Sequence, residues 1–194
     1  MSKPKLVFAE GCVGAGKSCI TKALREQLPY TMLLDLSSIK DKTIETGRDK
    51  MYKYHSKILQ MFEDTAECGM SYVCSRSFLS ELCYTELGFK EYSFKVNADA
   101  LMSNVDFLTK FYDVYFILIK TNEEQLKDRL KRDKFQYVEH SVKNAMIQQQ
   151  MYETIFRNYA RENNSIKFFE IENDVLDRTV NTIKDLILSG MLGD

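Results

Sequence analysis

Residues Gly11-Cys12-Val13-Gly14-Ala15-Gly16-Lys17-Ser18 follow the spacing G-x-x-x-x-G-K-[ST]. An apolar run, Leu6 to Ala9, precedes them, and a stretch with helical periodicity follows. In that setting glycines let backbone N–H groups turn inward and approach phosphate oxygens. The start of the following helix adds partial positive charge. Lys17 is the residue placed to reach the β- and γ-phosphates, and the Ser18 hydroxyl the one placed to ligate Mg²⁺. The segment Gly11, Cys12, Val13, Gly14, Ala15, Gly16, Lys17, Ser18 and Cys19 is therefore the candidate nucleotide-binding loop, with ATP or GTP as its ligand.

Other features narrow the kind of machine. The strings D-x-x-G and N-K-x-D, which mark switch GTPases, are absent. The third apolar run ends in Ser75 and the fourth in Lys120-Thr121, so neither supplies the strand-end acid of an ATPase motor. A small kinase remains, holding a nucleotide and a phosphoryl acceptor in one chain.

The elements that must position these residues are legible from periodicity. Short apolar runs at 6–9, 31–35, 71–74, 114–119 and 166–171 read as strands. Val114-Tyr-Phe-Ile-Leu-Ile119 is the strongest of them, a β-prone run expected to be buried on both faces. Helical spacing predicts helices over 17–28, 49–67, 77–87, 98–110, 122–131, 141–161 and 174–188. Asn122 is placed to cap one of them. Residues 36–48 are polar, contain Gly47 and read as loop. Strands alternating with helices specify an α/β fold: a three-layer domain with a five-stranded parallel sheet flanked by helices, here a single domain over 1–194.

Composition excludes several classes. The 194 residues carry 27 Lys and Arg against 28 Asp and Glu, a net charge of -1, which argues against a nucleic-acid coat or a binder of anionic membrane. Five cysteines without a C-x-x-C pair, and only His55 and His140, argue against a disulfide framework or a zinc site. No apolar run approaches 18 residues, and Met1-Ser-Lys-Pro-Lys leads straight into the first strand. The expectation is a cytoplasmic protein acting on small molecules, without a nucleic-acid polymer or a membrane as partner.

Three stretches resemble the deoxynucleoside kinase family, in the superfamily it shares with thymidylate kinases. Glu10-Gly-Cys-Val-Gly-Ala-Gly-Lys-Ser18 is similar to the family's E-G-N-I-G-x-G-K-S, with aliphatic Val13 where thymidylate kinases usually place an acid. Ser75-Arg-Ser-Phe-Leu-Ser-Glu81 resembles E-R-S-x-x-S-D. Tyr112 to Glu124, with Leu126 to Arg132, resembles the family's fourth strand and its approach to a basic lid. Two departures stand out: Ser75 replaces the family's acid before Arg-Ser, and Asp35-Leu-Ser-Ser38 replaces its E-P. Asp35 or Glu10 is then left to supply the missing carboxylate.

The resemblance implies the P-loop kinase fold, ATP and Mg²⁺ as cofactors, and a nucleoside or nucleotide as substrate. It implies Asp35 as the base that takes the 5′-hydroxyl proton, a role that competes with capping the following loop. It implies Arg76 as a clamp on substrate oxygens, competing with a surface ion pair. It implies a lid over about 127–139, where Lys127 to Lys134 holds five basic and two acidic residues. Arg129 and Arg132, with Lys131 behind them, would close over the phosphates; an ordinary solvated helix end is the competing account. The acceptor pocket would draw on Tyr52, Tyr54, His55 and Gln60, residue types that at this spacing also serve as core or helix surface. Glu139 would hold the sugar 3′-hydroxyl or simply place charge at a helix start. A thymidylate-kinase-type enzyme would need further cations for a phosphorylated acceptor, from Arg48, Lys53 and Arg76. Ser75 leaves room for a degenerate kinase that binds nucleotide without transfer. A homodimer through helices 77–87 and 98–110 follows from the resemblance alone.

Overall fold

The structure, a computed structural model, describes residues 3–36, 43–133 and 137–189. Five strands form one sheet in the order β2-β3-β1-β4-β5, every neighbouring pair parallel. They are β1 (Lys5–Glu10), β2 (Thr31–Asp35), β3 (Ser71–Ser75), β4 (Asp113–Lys120) and β5 (Lys167–Glu172). The helices are α1 (Lys17–Gln27), α2 (Ile44–Asp64), α3 (Phe78–Glu86), α4 (Lys95–Leu108), α5 (Glu123–Arg132), α6 (Val138–Glu162) and α7 (Leu176–Ser189). Strand order reverses at β1, which pairs with β3 on one side and β4 on the other. A crevice opens beyond the carboxyl ends of strands at such a reversal, and the glycine loop 11–16 lies there.

Alternation along the strands divides the core into two layers. Leu6 and Phe8 of β1, with Val114, Phe116 and Leu118 of β4, face the layer that includes side chains of α2, α3, α4 and α6. Val7, Tyr115, Ile117 and Ile119 face the opposite layer with side chains of α1, α5 and α7. All of β1 and the six central residues of β4 are buried. This is why both read as continuous apolar runs.

One aromatic ladder crosses the sheet. Register puts Phe8 opposite Phe116 and Phe116 opposite Phe168. The Phe116 ring stacks on Phe8 at 4.7 Å and on Phe168 at 5.2 Å, and meets Phe78 and Phe156 edge-on at 6.3 and 6.4 Å. Parallel in-register pairing stacks side chains of one face directly, and offset or edge-on contacts suit the aromatic quadrupole.

The structure differs from the sequence expectation at one element above all. Helix α2 begins at Ile44, inside the stretch expected to be loop. Gly47 suggested a break, yet it sits within the helix because the Tyr92 ring packs against it. A Cβ there would lie 2.5 Å from Tyr92 Cε1. The close ring approach, which periodicity does not reveal, leaves no room for a side chain, so glycine is kept there despite its roughly 1 kcal/mol helical cost. α4 and α6 each start three residues earlier than expected, at Lys95 and Val138. Asn122 caps as anticipated, accepting from the Gln125 N–H at 2.9 Å, and Ser77 caps α3, accepting from the Leu79 N–H at 3.1 Å.

Phe116→Ala removes the ring common to four aromatic contacts and is expected to cost about 3–5 kcal/mol of stability. Urea unfolding followed by circular dichroism checks this, and a loss below about 1 kcal/mol would contradict the central place given to that ring.

Candidate active site

A cleft of about 550 Å³ opens at the carboxyl edge of the sheet. The glycine loop and the start of α1 form one wall, through Val13, Gly14, Gly16, Lys17, Ser18 and Cys19. Asp35, Ser75 and Arg76 form the rim at the ends of β2 and β3. Arg129, Arg132 and Asp133 come from the end of α5, and Asn173, Asp174 and Leu176 from the β5–α7 junction.

Beneath the loop, cations and amides hold its carbonyls. Lys17 Nζ donates to the Gly11 and Cys12 carbonyls at 2.7 and 2.6 Å. Arg129 Nη1 donates to the Gly14 and Ala15 carbonyls at 3.3 and 3.2 Å, and to Thr121 Oγ1 at 3.2 Å. Asn173 Nδ2 donates to the Ala15 carbonyl at 2.7 Å. Gly16 has φ +95°, and a Cβ there would lie 2.4 Å from Asn173 Nδ2, so both conformation and space require glycine. Gly11, Cys12 and Ala15 thus act through their carbonyls. The Cys12 thiol points inward, 3.9 Å from Gln149 Oε1.

Electrostatics favour an anion here. Lys17 is buried, 6% exposed, and burial with Arg76 nearby pulls its ammonium down to about 7. Glu10 is fully buried and accepts from Ser77 Oγ at 2.6 Å and Ser80 Oγ at 2.7 Å. Burial pushes its carboxyl up, against the pull of those hydroxyls and of Arg76 and Lys17. Glu10 is therefore committed to the base of α3 and does not replace the carboxylate missing at Ser75. Asp35 takes that place by position: it pairs with Ser75 across the β2–β3 register, and both line the cleft.

Arg76 occupies a left-handed conformation, φ +76°, with its N–H bonded to the Ala9 carbonyl at 2.9 Å. Such a conformation is costly for a non-glycine residue and persists where surroundings impose it. The surroundings here are polar and specific. Its Nη1 donates to Tyr84 Oη at 3.0 Å and Ser80 Oγ at 3.3 Å, and Tyr152 Oη donates to the same Ser80 oxygen at 2.9 Å. The guanidinium lies 6.0 Å from the Tyr84 ring centroid.

The remaining sequence candidates are placed differently. Arg132 sits at the cleft wall but is largely exposed and pairs with Asp133 at 3.0 Å. Lys131 is exposed. Glu139 pairs with Lys127, tying the first turn of α6 to α5. This is the structural alternative to a contact with the sugar. Gln60 is exposed, its amide donating to Glu63 and Asp64 of its own helix at 3.3 and 3.0 Å, so the fold does not bring it to the cleft. Tyr52 is half-buried against the core layer of α2. His55, expected on a helix surface if not in the pocket, is 3% exposed between Tyr54 and Phe78, at ring distances of 5.0 and 6.2 Å. Burial, then Lys90, lowers its pKa to about 4, and its Nε2 has no hydrogen-bond partner among the described residues. Part of the expected lid, 134–136, lies outside the described residues.

Sequence reasoning missed Asn173, Tyr84 and Gln149, and gave Ser80, a residue of the Ser75–Glu81 stretch, no role. Gln149 holds the end of β4: its Oε1 accepts the Thr121 N–H at 2.9 Å and its Nε2 donates to the Thr121 carbonyl at 3.1 Å. The available signal was positional, since Asn173 and Thr121 each immediately follow a parallel strand, where ligands of such sheets collect.

Sheet order, loop and flanking helices together define the fold of the P-loop kinases. Particular solved structures share it over nearly the whole chain. The YorR protein of Bacillus subtilis, in complex with phosphorylated GDP, matches with a TM-score of 0.73 at 16% identity, over 98% of this chain and 99% of that one. Deoxyadenosine kinase of M. mycoides with bound dATP matches with a TM-score of 0.62 at 16% identity, over 97% and 100%. Thymidylate kinase of Candida albicans matches with a TM-score of 0.59 at 16% identity, over 98% and 94%. At that identity the likeness is one of fold. No family model matches the chain, and no curated protein matches it in sequence.

The lowered Lys17 pKa has a measurable consequence. Above about pH 7 the free protein carries part of its Lys17 as neutral amine, and an arriving phosphate restores the charge. Nucleotide binding near pH 8 is therefore expected to take up a fraction of a proton, and affinity to fall as pH rises further. Calorimetry in buffers of different ionisation enthalpy reads the uptake. The same uptake in Lys17→Met would show that another group is responsible.

Proposed function

We propose that this chain transfers the γ-phosphoryl group of ATP to the 5′-hydroxyl of a deoxynucleoside. The observation that carries the reading is that the phosphate loop and a strand-end carboxylate–guanidinium pair share one cleft. The phosphate loop with Lys17 and Ser18 and the strand-end pair Asp35 and Arg76 line the same cleft. Loop amides and Lys17 bind the donor phosphates. Asp35 accepts the hydroxyl proton as that oxygen attacks the γ-phosphorus and the bond to the β–γ bridging oxygen of ATP breaks. Arg76, held by Ser80 and Tyr84, orients acceptor oxygens. Arg132 lies at the mouth, where it can swing onto the transferring group, while Arg129 braces the loop.

The donor set suits Mg²⁺. This ion keeps several waters and takes few protein ligands beside substrate phosphates. Ser18 supplies a hydroxyl on the cleft wall, and Ser75 adds a second. When bound, the metal would neutralise charge developing on the phosphate oxygens.

A nucleoside acceptor is favoured over a monophosphate such as dTMP. A second phosphate group needs additional cations. Of Arg48, Lys53 and Arg76, only Arg76 lines the cleft. Arg48 is half-exposed and paired with Asp49 at 3.3 Å, and Lys53 is exposed. Use of ATP accords with a cytoplasmic setting; no helix among the described residues is long and apolar enough to cross a membrane.

An ADP-release assay across deoxynucleosides and their monophosphates tests the reading. Turnover with nucleosides is expected, and Asp35→Asn should lower kcat by about 10²–10⁴-fold while ATP affinity changes little. Transfer to monophosphates alone would replace the acceptor. Tight ATP binding with no transfer to any acceptor would replace the enzyme with a nucleotide-binding regulator.

A further inference from the structure

Asn173 occupies the first position after β5 and uses every polar group it has. Its N–H donates to the Lys120 carbonyl at 2.8 Å, extending the β4–β5 pairing. Its own carbonyl accepts from Arg129 Nη2 at 2.5 Å. Its Oδ1 lies 3.2 Å from Thr179 Oγ1 of α7, a hydroxyl it shares with the Val175 and Glu172 carbonyls at 3.0 and 3.4 Å, and its Nδ2 end faces the phosphate loop. That Nδ2 donates to the Ala15 carbonyl at 2.7 Å. The side chain is buried, so its bonds to Ala15 and Thr179 are shielded from bulk water.

The peptide plane makes this contact more than packing. The Ala15 carbonyl and the Gly16 N–H belong to one planar trans peptide and point in opposite directions. With its carbonyl oxygen held by Asn173 and Arg129, this peptide has its rotation fixed, and the Gly16 N–H is turned away from those two side chains within the cleft that Gly16 itself lines. Arg129 Nη1 reaches the same Ala15 carbonyl at 3.2 Å, but the Arg129 side chain is only partly buried and lies on α5, at the end of the basic segment. Asn173 sits on the sheet itself, fixed by backbone pairing, and so supplies the rigid half of the clamp. Resting on the phosphate-loop reading above, we propose that Asn173 is a positioning residue that orients the Ala15–Gly16 peptide for donor phosphate.

Asn173→Asp tests this with little change in size. The carboxylate still accepts from Thr179 but sets an oxygen against the Ala15 carbonyl oxygen, removing the donor and adding repulsion. The expected result is a rise of roughly tenfold or more in the ATP dissociation constant and in KM for ATP, with KM for the acceptor within about twofold. Thr179→Val, which frees the amide to rotate, should shift ATP binding in the same direction by a smaller factor; it also serves if Asn173→Asp fails to fold. Unchanged ATP affinity in the folded variants, or equal losses for ATP and acceptor, would overturn the proposal. Lys17→Ala separates the two levels of inference. If it abolishes ATP binding while Asn173→Asp retains it, the clamp alone is wrong; if Lys17→Ala binds ATP normally, the phosphate-loop reading itself fails.

Discussion

The structure depends on a constraint of the peptide unit. Amides can face a phosphate only if the carbonyls on the same planes face away and find donors there. In this chain those donors are Lys17 on Gly11 and Cys12, Arg129 on Gly14 and Ala15, and Asn173 on Ala15. They come from α1, α5 and the end of β5, so three separate elements converge on one short loop. The strand reversal at β1 makes this convergence possible, because it places the ends of β3 and β4 on either side of the loop.

The rim at the ends of β2 and β3 obeys a related logic on the other side of β1. A buried carboxylate needs hydrogen-bond donors, and Glu10 finds them in Ser77 and Ser80. Ser80 in turn accepts from Arg76 and Tyr152. A buried acid that does not face the cleft thus fixes the guanidinium that does. The strained backbone at Arg76 is held by the bond to Ala9 and by this network. Ser75, the departure from the family pattern, leaves the rim with Asp35 as its carboxylate.

Both halves rest on a sheet crossed by the Phe8–Phe116–Phe168 ladder and the rings edge-on to it. Close-packed interiors transmit position faithfully, so side chains at strand ends are held to the precision of the strands. Strands, caps and most helices were legible because each follows from residues a few positions apart. Val114 to Ile119 had no soluble alternative to a buried strand, and Asn122 and Ser77 cap as their types require. Gly47 misled because its reason is the Tyr92 ring, which is distant in sequence. Gln60 and Glu139 fit the family pattern by type and spacing, yet nearer partners on α2 and α5 take them.

The sequence by itself determined the phosphate loop, the α/β alternation and the identity of Asp35 and Arg76 as strand-end residues, because all of these are local patterns along the chain. Only the tertiary structure decided that Arg129 braces the loop, that Glu10 is committed to α3, that His55 is buried, and that Asn173 belongs to the site. The reason is distance along the chain. Asn173 and Ala15 are 158 residues apart, Arg129 and Gly14 115, and Ser80 and Glu10 70. Contacts of that range leave no periodicity behind; they exist only once the sheet has brought its strand ends together.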